Sequence, residues 1–171
     1  FLYSITGEWA KGLEMAYHGI AELDGDLDPQ WNVSFNNMLE LAYEKQGDFK
    51  KCLRTALDNI QYIKVHAGID FDPIEVWASY QTAGQMYNRL GKQDSALIYL
   101  NISLDHINKY AVSQQFPAYI YGYKGLVYAK LAKYDTAFHY MHKKISIMQS
   151  ENNQFSYQEG LSELAHIYFE M

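Results

Sequence analysis

A tyrosine returns along this chain at nearly constant spacing, and the residues around it return with it. Tyr3, Tyr43, Tyr87, Tyr128 and Tyr168 stand 40, 44, 41 and 40 residues apart. Four residues after the first four tyrosines come Gly7, Gly47, Gly91 and Ala132. Two further on stand Trp9, Phe49, Gln93 and Tyr134, aromatic in three of the four. Nine after each tyrosine the residue is small: Gly12, Cys52, Ala96 and Ala137. A period of this length means one supersecondary unit that cannot bury its apolar face alone and is completed by stacking on its neighbours.

Apolar spacing within the unit says what is stacked. Phe35, Met38, Leu39, Ala42 and Tyr43 follow the three-four rhythm of one helical face, and after Gly47 the rhythm restarts as Phe49, Cys52, Leu53, Ala56, Leu57 and Ile60. Two amphipathic helices are thus joined by a turn whose glycine can take the left-handed conformation that closes a helix. The small residue at the Cys52 column lets the second helix approach the first closely. The three prolines, Pro29, Pro73 and Pro117, fall in the connectors between pairs, outside helix interiors where they would remove a hydrogen bond. Asp28 and Asp72 precede two of them, the pattern of a cap followed by a first-turn proline.

These residues resemble the tetratricopeptide repeat, whose signature runs W-x2-L-G-x2-Y, then A-x3-F, then P. In one unit Tyr80, Gly84, Tyr87, Ala96 and Leu100 occupy the matching positions; in the next they are Tyr121, Gly125, Tyr128, Ala137 and Met141. The periods exceed the usual 34 residues of that family, as in long-period bacterial members. Two positions depart from the signature: Glu40 stands where Gly or Ala is usual and Lys124 where Leu is usual, so those pairs are expected to pack less regularly. The implied fold class is all-α, a superhelical solenoid of antiparallel helix pairs with about three complete pairs and partial repeats at both ends. The expected division of residues 1–171 is a partial repeat 1–23, repeats 31–66, 74–110 and 117–150, and a partial repeat 156–171. Open solenoid ends expose apolar edges, so the chain is expected to be excised from a longer one, or to self-associate through those ends.

In stacked pairs of this family the first helices line a concave groove. On that register the partner-binding residues are Asn37, Leu41, Glu44, Gln81, Gln85, Asn88, Arg89, Tyr119, Tyr123, Leu126, Lys130 and His166. Tyr43, Tyr87 and Tyr128 of the recurrent column read as core. Amides, tyrosines and few charges suit an extended peptide or a partner helix. Family members that clamp acidic chaperone tails use a basic and asparagine set on these helices. Here those positions hold Asn37, Leu41, Gln81, Gln85, Gly122 and Leu126, so that clamp is not carried over.

Composition excludes several other functions. A net charge of −6 and a pI near 5.4 argue against a nucleic-acid partner, which needs clustered cations to neutralise phosphates. The short basic runs Lys50, Lys51, Arg54 and His142, Lys143, Lys144 read as solvated helix faces. No apolar run reaches the roughly 18 residues of a membrane span, so direct membrane insertion is not expected. Cys52, the single cysteine, excludes an internal disulfide and a cysteine-rich zinc site; it reads as a packed, inert thiol, compatible with a cytosolic or a periplasmic setting.

No cofactor and no metal are expected. Asp24, Asp26 and Asp28 mimic the start of a calcium loop, but Pro29 and Phe35 stand where that loop needs Gly and Glu. Glu163 and His166 form a Glu-x-x-His pair without the second copy a di-metal site requires. An enzyme built on paired helices would need converging acids, and the groove register offers Glu44 and Glu163, far apart in the stack. The expectation is therefore a non-catalytic scaffold that binds a protein segment in its groove, with the sensory or regulatory region of a larger bacterial signalling protein, a histidine kinase or transcriptional regulator, as the alternative.

Overall fold

The computed structural model describes residues 9–22, 28–110 and 113–171. Among them the chain forms eight α-helices: α1 Trp9–Glu22, α2 Pro29–Gln46, α3 Phe49–Val65, α4 Pro73–Arg89, α5 Gln93–Tyr110, α6 Gln115–Lys130, α7 Tyr134–Ser150 and α8 Gln154–Glu170. Consecutive helices pack antiparallel as α2 with α3, α4 with α5 and α6 with α7, while α1 lies on α2 and α8 on α7. The first helices also meet each other, α2 with α4, α4 with α6 and α6 with α8, and no two of α3, α5 and α7 pack to the same extent. The first helices therefore line the inside of the curve.

The repeated tyrosine marks the turn inside each pair. The carbonyls of Tyr43, Tyr87 and Tyr128 accept from the backbone N–H five residues later, at Asp48, Lys92 and Lys133, over 3.0, 2.9 and 2.9 Å. That is the six-to-one bond of a Schellman closure, which requires a left-handed residue just before its donor. Gly47 and Gly91 fill that place at φ of 76° and 75°, and Ala132 fills it at 53°. A left-handed alanine brings its Cβ against the following carbonyl. Ala132→Gly is thus expected to stabilise the fold by about 1 kcal/mol, raising the melting temperature by roughly 2–4 °C; thermal unfolding of the two proteins measures it.

The helix starts follow the sequence reading. Asp28 Oδ1 accepts from the Gln30 N–H at 3.0 Å and Asp72 Oδ1 from the Ile74 N–H at 2.7 Å, with Pro29 and Pro73 at the first helical positions. Pro117 differs from its expected place in a connector: α6 begins at Gln115, so this proline lies in the first helical turn, where its missing N–H has no intrahelical acceptor to lose. Asp24 and Asp26 lie outside the described residues, as do Tyr3 and Gly7; Asp28 acts as a helix cap.

The small column does the packing expected of it. Cys52, Ala96 and Ala137 are fully buried, and Cys52 Sγ donates to the Glu40 carbonyl at 3.2 Å. A Cβ on Gly84 would sit 2.7 Å from Leu100 Cγ, so α4 and α5 approach as closely as they do because that position has no side chain.

The tyrosine column is less uniform than expected. Tyr43 is buried, but Tyr87 and Tyr128 are half-buried and stack on tyrosines of their partner helices. The ring centroids lie 5.2 Å apart for Tyr87 and Tyr99 and 5.5 Å apart for Tyr128 and Tyr140, the latter nearly parallel.

A candidate peptide-binding groove on the inner helices

Two adjoining cavities open on the inner side of the first helices. The larger, about 540 Å³, lies between α2 and α4 and is closed by Phe116 and Tyr123 of α6. Asn37, Leu41, Glu44, Gln81, Gln85 and Tyr123 of the expected set line it, together with Glu40, Glu75, Trp77 and Thr82. The smaller, about 170 Å³, lies between α4, α6 and α8, and Gln85, Asn88, Arg89, Tyr123, Leu126, Lys130 and His166 line it. Gln85 and Tyr123 belong to both cavities, so they adjoin as one groove. Tyr119 lines neither; its hydroxyl is 3.2 Å from Ser156 Oγ, bridging α6 to α8.

The residues predicted from register are held in place by polar bonds between helices. Asn37 donates to the Glu75 carbonyl at 3.1 Å and to its carboxylate, which also accepts from Ser34 Oγ at 3.1 Å. Behind them the fully buried Asn59 of α3 shares its amide among the Val33 carbonyl, Asn37 Oδ1 and Ser79 Oγ at 3.3, 3.1 and 3.0 Å. Gln85 Nε2 donates to Glu44 Oε1 at 2.6 Å, and Lys130 Nζ to the Asn88 carbonyl at 3.0 Å. These bonds tie α2 to α4 and α4 to α6, so the groove is preorganised.

Its two ends carry opposite charge. Among the described residues, the larger cavity is lined by three carboxyl groups, Glu40, Glu44 and Glu75, and by no Lys, Arg or His. The smaller holds Arg89, Lys130 and His166, with Glu170 paired to His166 at 3.0 Å. Between them Tyr123 is pushed far above the usual phenol range, first by burial and then by the fields of Glu44, Glu159 and Glu163, with Arg89 opposing. Glu44 and Glu163, far apart along the sequence stack, thus act on one side chain.

Sequence register missed two buried charges. Glu40, in the column for small residues, is only 2% exposed, and among the described residues neither carboxyl oxygen closes a hydrogen bond of ordinary geometry. Burial pushes its pKa up to about 8; the Thr82 hydroxyl and Asn59 amide beside it oppose this, and Glu75 adds to it. Lys144, read from sequence as part of a solvated basic face, is instead 3% exposed. It leaves α7 past Gly122, where a Cβ would lie 2.6 Å from its Cδ, and places Nζ 2.7 Å from Glu163 and 3.0 Å from Glu159 of α8. The sequence signal available for Glu40 was a charge in a column that packs.

The second departure from the repeat signature is also buried and paired. Lys124 Nζ donates to Asn101 Oδ1 at 2.8 Å and lies 4.6 Å from the centre of the Tyr140 ring. Glu163 and His166 do not form a metal pair: Glu163 faces Lys144 and His166 faces Glu170. Among the described residues no group of three or more His, Cys, Asp or Glu side chains is placed to hold a metal ion, and no helix is long and apolar enough to cross a membrane. Burial, reinforced by Glu40, Glu44 and Asp48, holds the Cys52 thiol well above its ordinary pKa, which leaves it unreactive at neutral pH.

No family model matches the chain, and no curated protein matches it in sequence. Solved structures do match in fold. A putative kinesin light chain from Podosopora anserina with nearly identical TPR-like repeats superposes with a TM-score of 0.70 at 14% identity, covering 98% of this chain and 81% of that one. A point variant of the same protein gives 0.72 with the same identity and coverage. BtubC (BKLC) from P. vanneervenii gives 0.69 at 18% identity, covering 95% of this chain and 64% of that one. The helix pairs, the turn columns and these superpositions together assign the chain the TPR-like helical-repeat solenoid fold.

Proposed function

We propose that this chain is a non-catalytic interaction scaffold that holds an extended segment of a partner protein along the groove of α2, α4, α6 and α8. The observation that carries this reading is the groove itself: two adjoining cavities on the inner helices, preorganised by inter-helix hydrogen bonds, whose lining is partly unsatisfied. Among the described residues, Gln81 Oε1, Trp77 Nε1 and both Glu40 oxygens in the larger cavity, and Asn88 Oδ1 in the smaller, are buried and close no hydrogen bond of ordinary geometry. Buried polar atoms left unpaired are costly, and a backbone laid along the groove supplies both donors and acceptors. The solenoid fold, which presents extended concave surfaces, suits the same role.

Peptides selected from a random display library on the wild-type chain test it. Changing Leu41, Arg89 and Leu126 to alanine is expected to weaken the selected peptides at least tenfold, about 1.4 kcal/mol. Changing the exposed Ile98 and Ile102 of α5 to alanine is expected to leave affinity unchanged. The reverse pattern would move binding to the outer face and overturn the proposal.

A further inference from the structure

Within the groove, and resting on the reading of it as a binding surface, one position asks for a particular chemistry. We infer that the larger cavity is a receptor for a single cationic side chain, lysine or arginine, of the bound segment, with Glu40 at its floor as the ion-pairing group.

The geometry excludes the other classes in turn. An acidic side chain would enter a cavity lined by the carboxyl groups of Glu40, Glu44 and Glu75 and, among the described residues, by no Lys, Arg or His. An apolar side chain would cover the two Glu40 oxygens and Gln81 Oε1 without pairing them. A guanidinium or ammonium supplies donors to these acceptors and charge to the carboxyl groups. The remaining walls suit its stem: Met38, Leu41, Ile74 and Ala78 are apolar, and the aromatic side chains of Trp77, Phe116 and Tyr123 line the rest. Ser34 and Asn37 already occupy the Glu75 carboxylate and Gln85 one oxygen of Glu44, whereas Glu40 has beside it only the Thr82 hydroxyl and the Asn59 amide, neither in hydrogen-bond geometry, and no cation among the described residues.

Binding is then linked to a proton. In the free chain Glu40 stays protonated up to about pH 8. A cation seated against it stabilises the ionised form, so the carboxyl group releases its proton to solvent as the ion pair forms. The groups facing Glu40 do not substitute for the cation: Glu75 of α4 raises its pKa, α3 brings the neutral Cys52 and Asn59, and α1 meets α2 through Leu13, Ala16 and Ile20 and the Tyr17 to Tyr43 hydroxyl contact. Affinity therefore strengthens with pH, by up to tenfold per unit below pH 8, and levels off above it.

The probes are three capped pentapeptides, Ala-Ala-Arg-Ala-Ala and its norleucine and glutamate counterparts. The reporter is the Trp77 indole signal in nitrogen-15 correlation spectra, assigned with Trp77→Phe. The arginine peptide is expected to shift that signal saturably and at least tenfold more tightly than the other two, with the pH dependence just given. Glu40→Gln is expected to weaken it at least tenfold and abolish the pH slope, and Glu44→Gln to weaken it while keeping the slope. An equal or stronger response to norleucine or glutamate would overturn the cation assignment and leave the groove reading intact. No response to any of the three would overturn the assignment and count against the groove reading as well. An unchanged pH slope in Glu40→Gln would remove Glu40 from the site even where arginine binds best.

Discussion

Relative to the wild-type chain, Glu40→Gln is expected to gain about 3–4 kcal/mol of stability between pH 5 and pH 8. The carboxyl group has an ordinary pKa of 4.5 when the chain is unfolded and about 8 when buried. Between those values the folded chain keeps a proton that the unfolded chain has given up, so the native state binds more protons and stability falls as pH rises. Below pH 4.5 both states are protonated and the cost vanishes; above 8 both are ionised and it is complete. Glutamine keeps the shape and does not titrate, so its stability curve lacks this slope. Such a difference corresponds to roughly 10 °C in melting temperature for a chain of this size, and parallel pH profiles for the two proteins would show that Glu40 is not buried as described.

The second large effect is expected at Lys144. Its ammonium is the only cation paired with Glu159 and Glu163 among the described residues, and Glu163 is itself mostly buried, with its pKa raised by that burial and pulled back by Lys144. Removing one member of a fully buried pair costs about 3–5 kcal/mol. Because Glu163 is 22% and Glu159 46% exposed, water screens part of this, and Lys144→Met is expected to cost about 2–3 kcal/mol. Losing the cation lets the Glu163 pKa climb further, so the loss grows as pH rises toward neutrality. Combining Lys144→Met with Glu163→Gln removes the stranded charge and should restore most of the stability. Urea unfolding of the single and double variants measures this, and strictly additive costs would mean that the two residues do not interact.

The architecture was legible because its signals are backbone requirements. A left-handed position four residues after Tyr43, Tyr87 and Tyr128 and a close helix crossing nine after them restrict residue type, so Gly47, Gly91, Cys52, Ala96 and Ala137 could be read from spacing alone. The residues that line the two inner cavities follow from the same kind of spacing: one face of α2 gives Asn37, Leu41 and Glu44, and one face of α4 gives Gln81, Gln85, Asn88 and Arg89.

What register does not carry is how neighbouring pairs cross. Phe116, Glu75 and Trp77 enter the larger cavity through the packing of α4 and α6 on their neighbours, an angle no single helix encodes. Tyr119 lines neither cavity, and its hydroxyl meets Ser156 of α8. Glu40 and Lys144 were missed for a further reason. Only the neighbouring helices show whether a charge is solvated, buried without an ion-pair partner as Glu40 is, or threaded past a glycine to a partner as Lys144 is.

The central claim, that the inner helices form the binding surface, is tested most directly by mapping a library-selected peptide onto the chain through its backbone amide shifts. The expected result is a continuous track through Asn37 and Leu41 of α2, Gln81 and Gln85 of α4 and Leu126 of α6, reaching His166 of α8, with α3, α5 and α7 unmoved. Perturbations confined to α3, α5 and α7, or to the outer faces of α1 and α8, would contradict it.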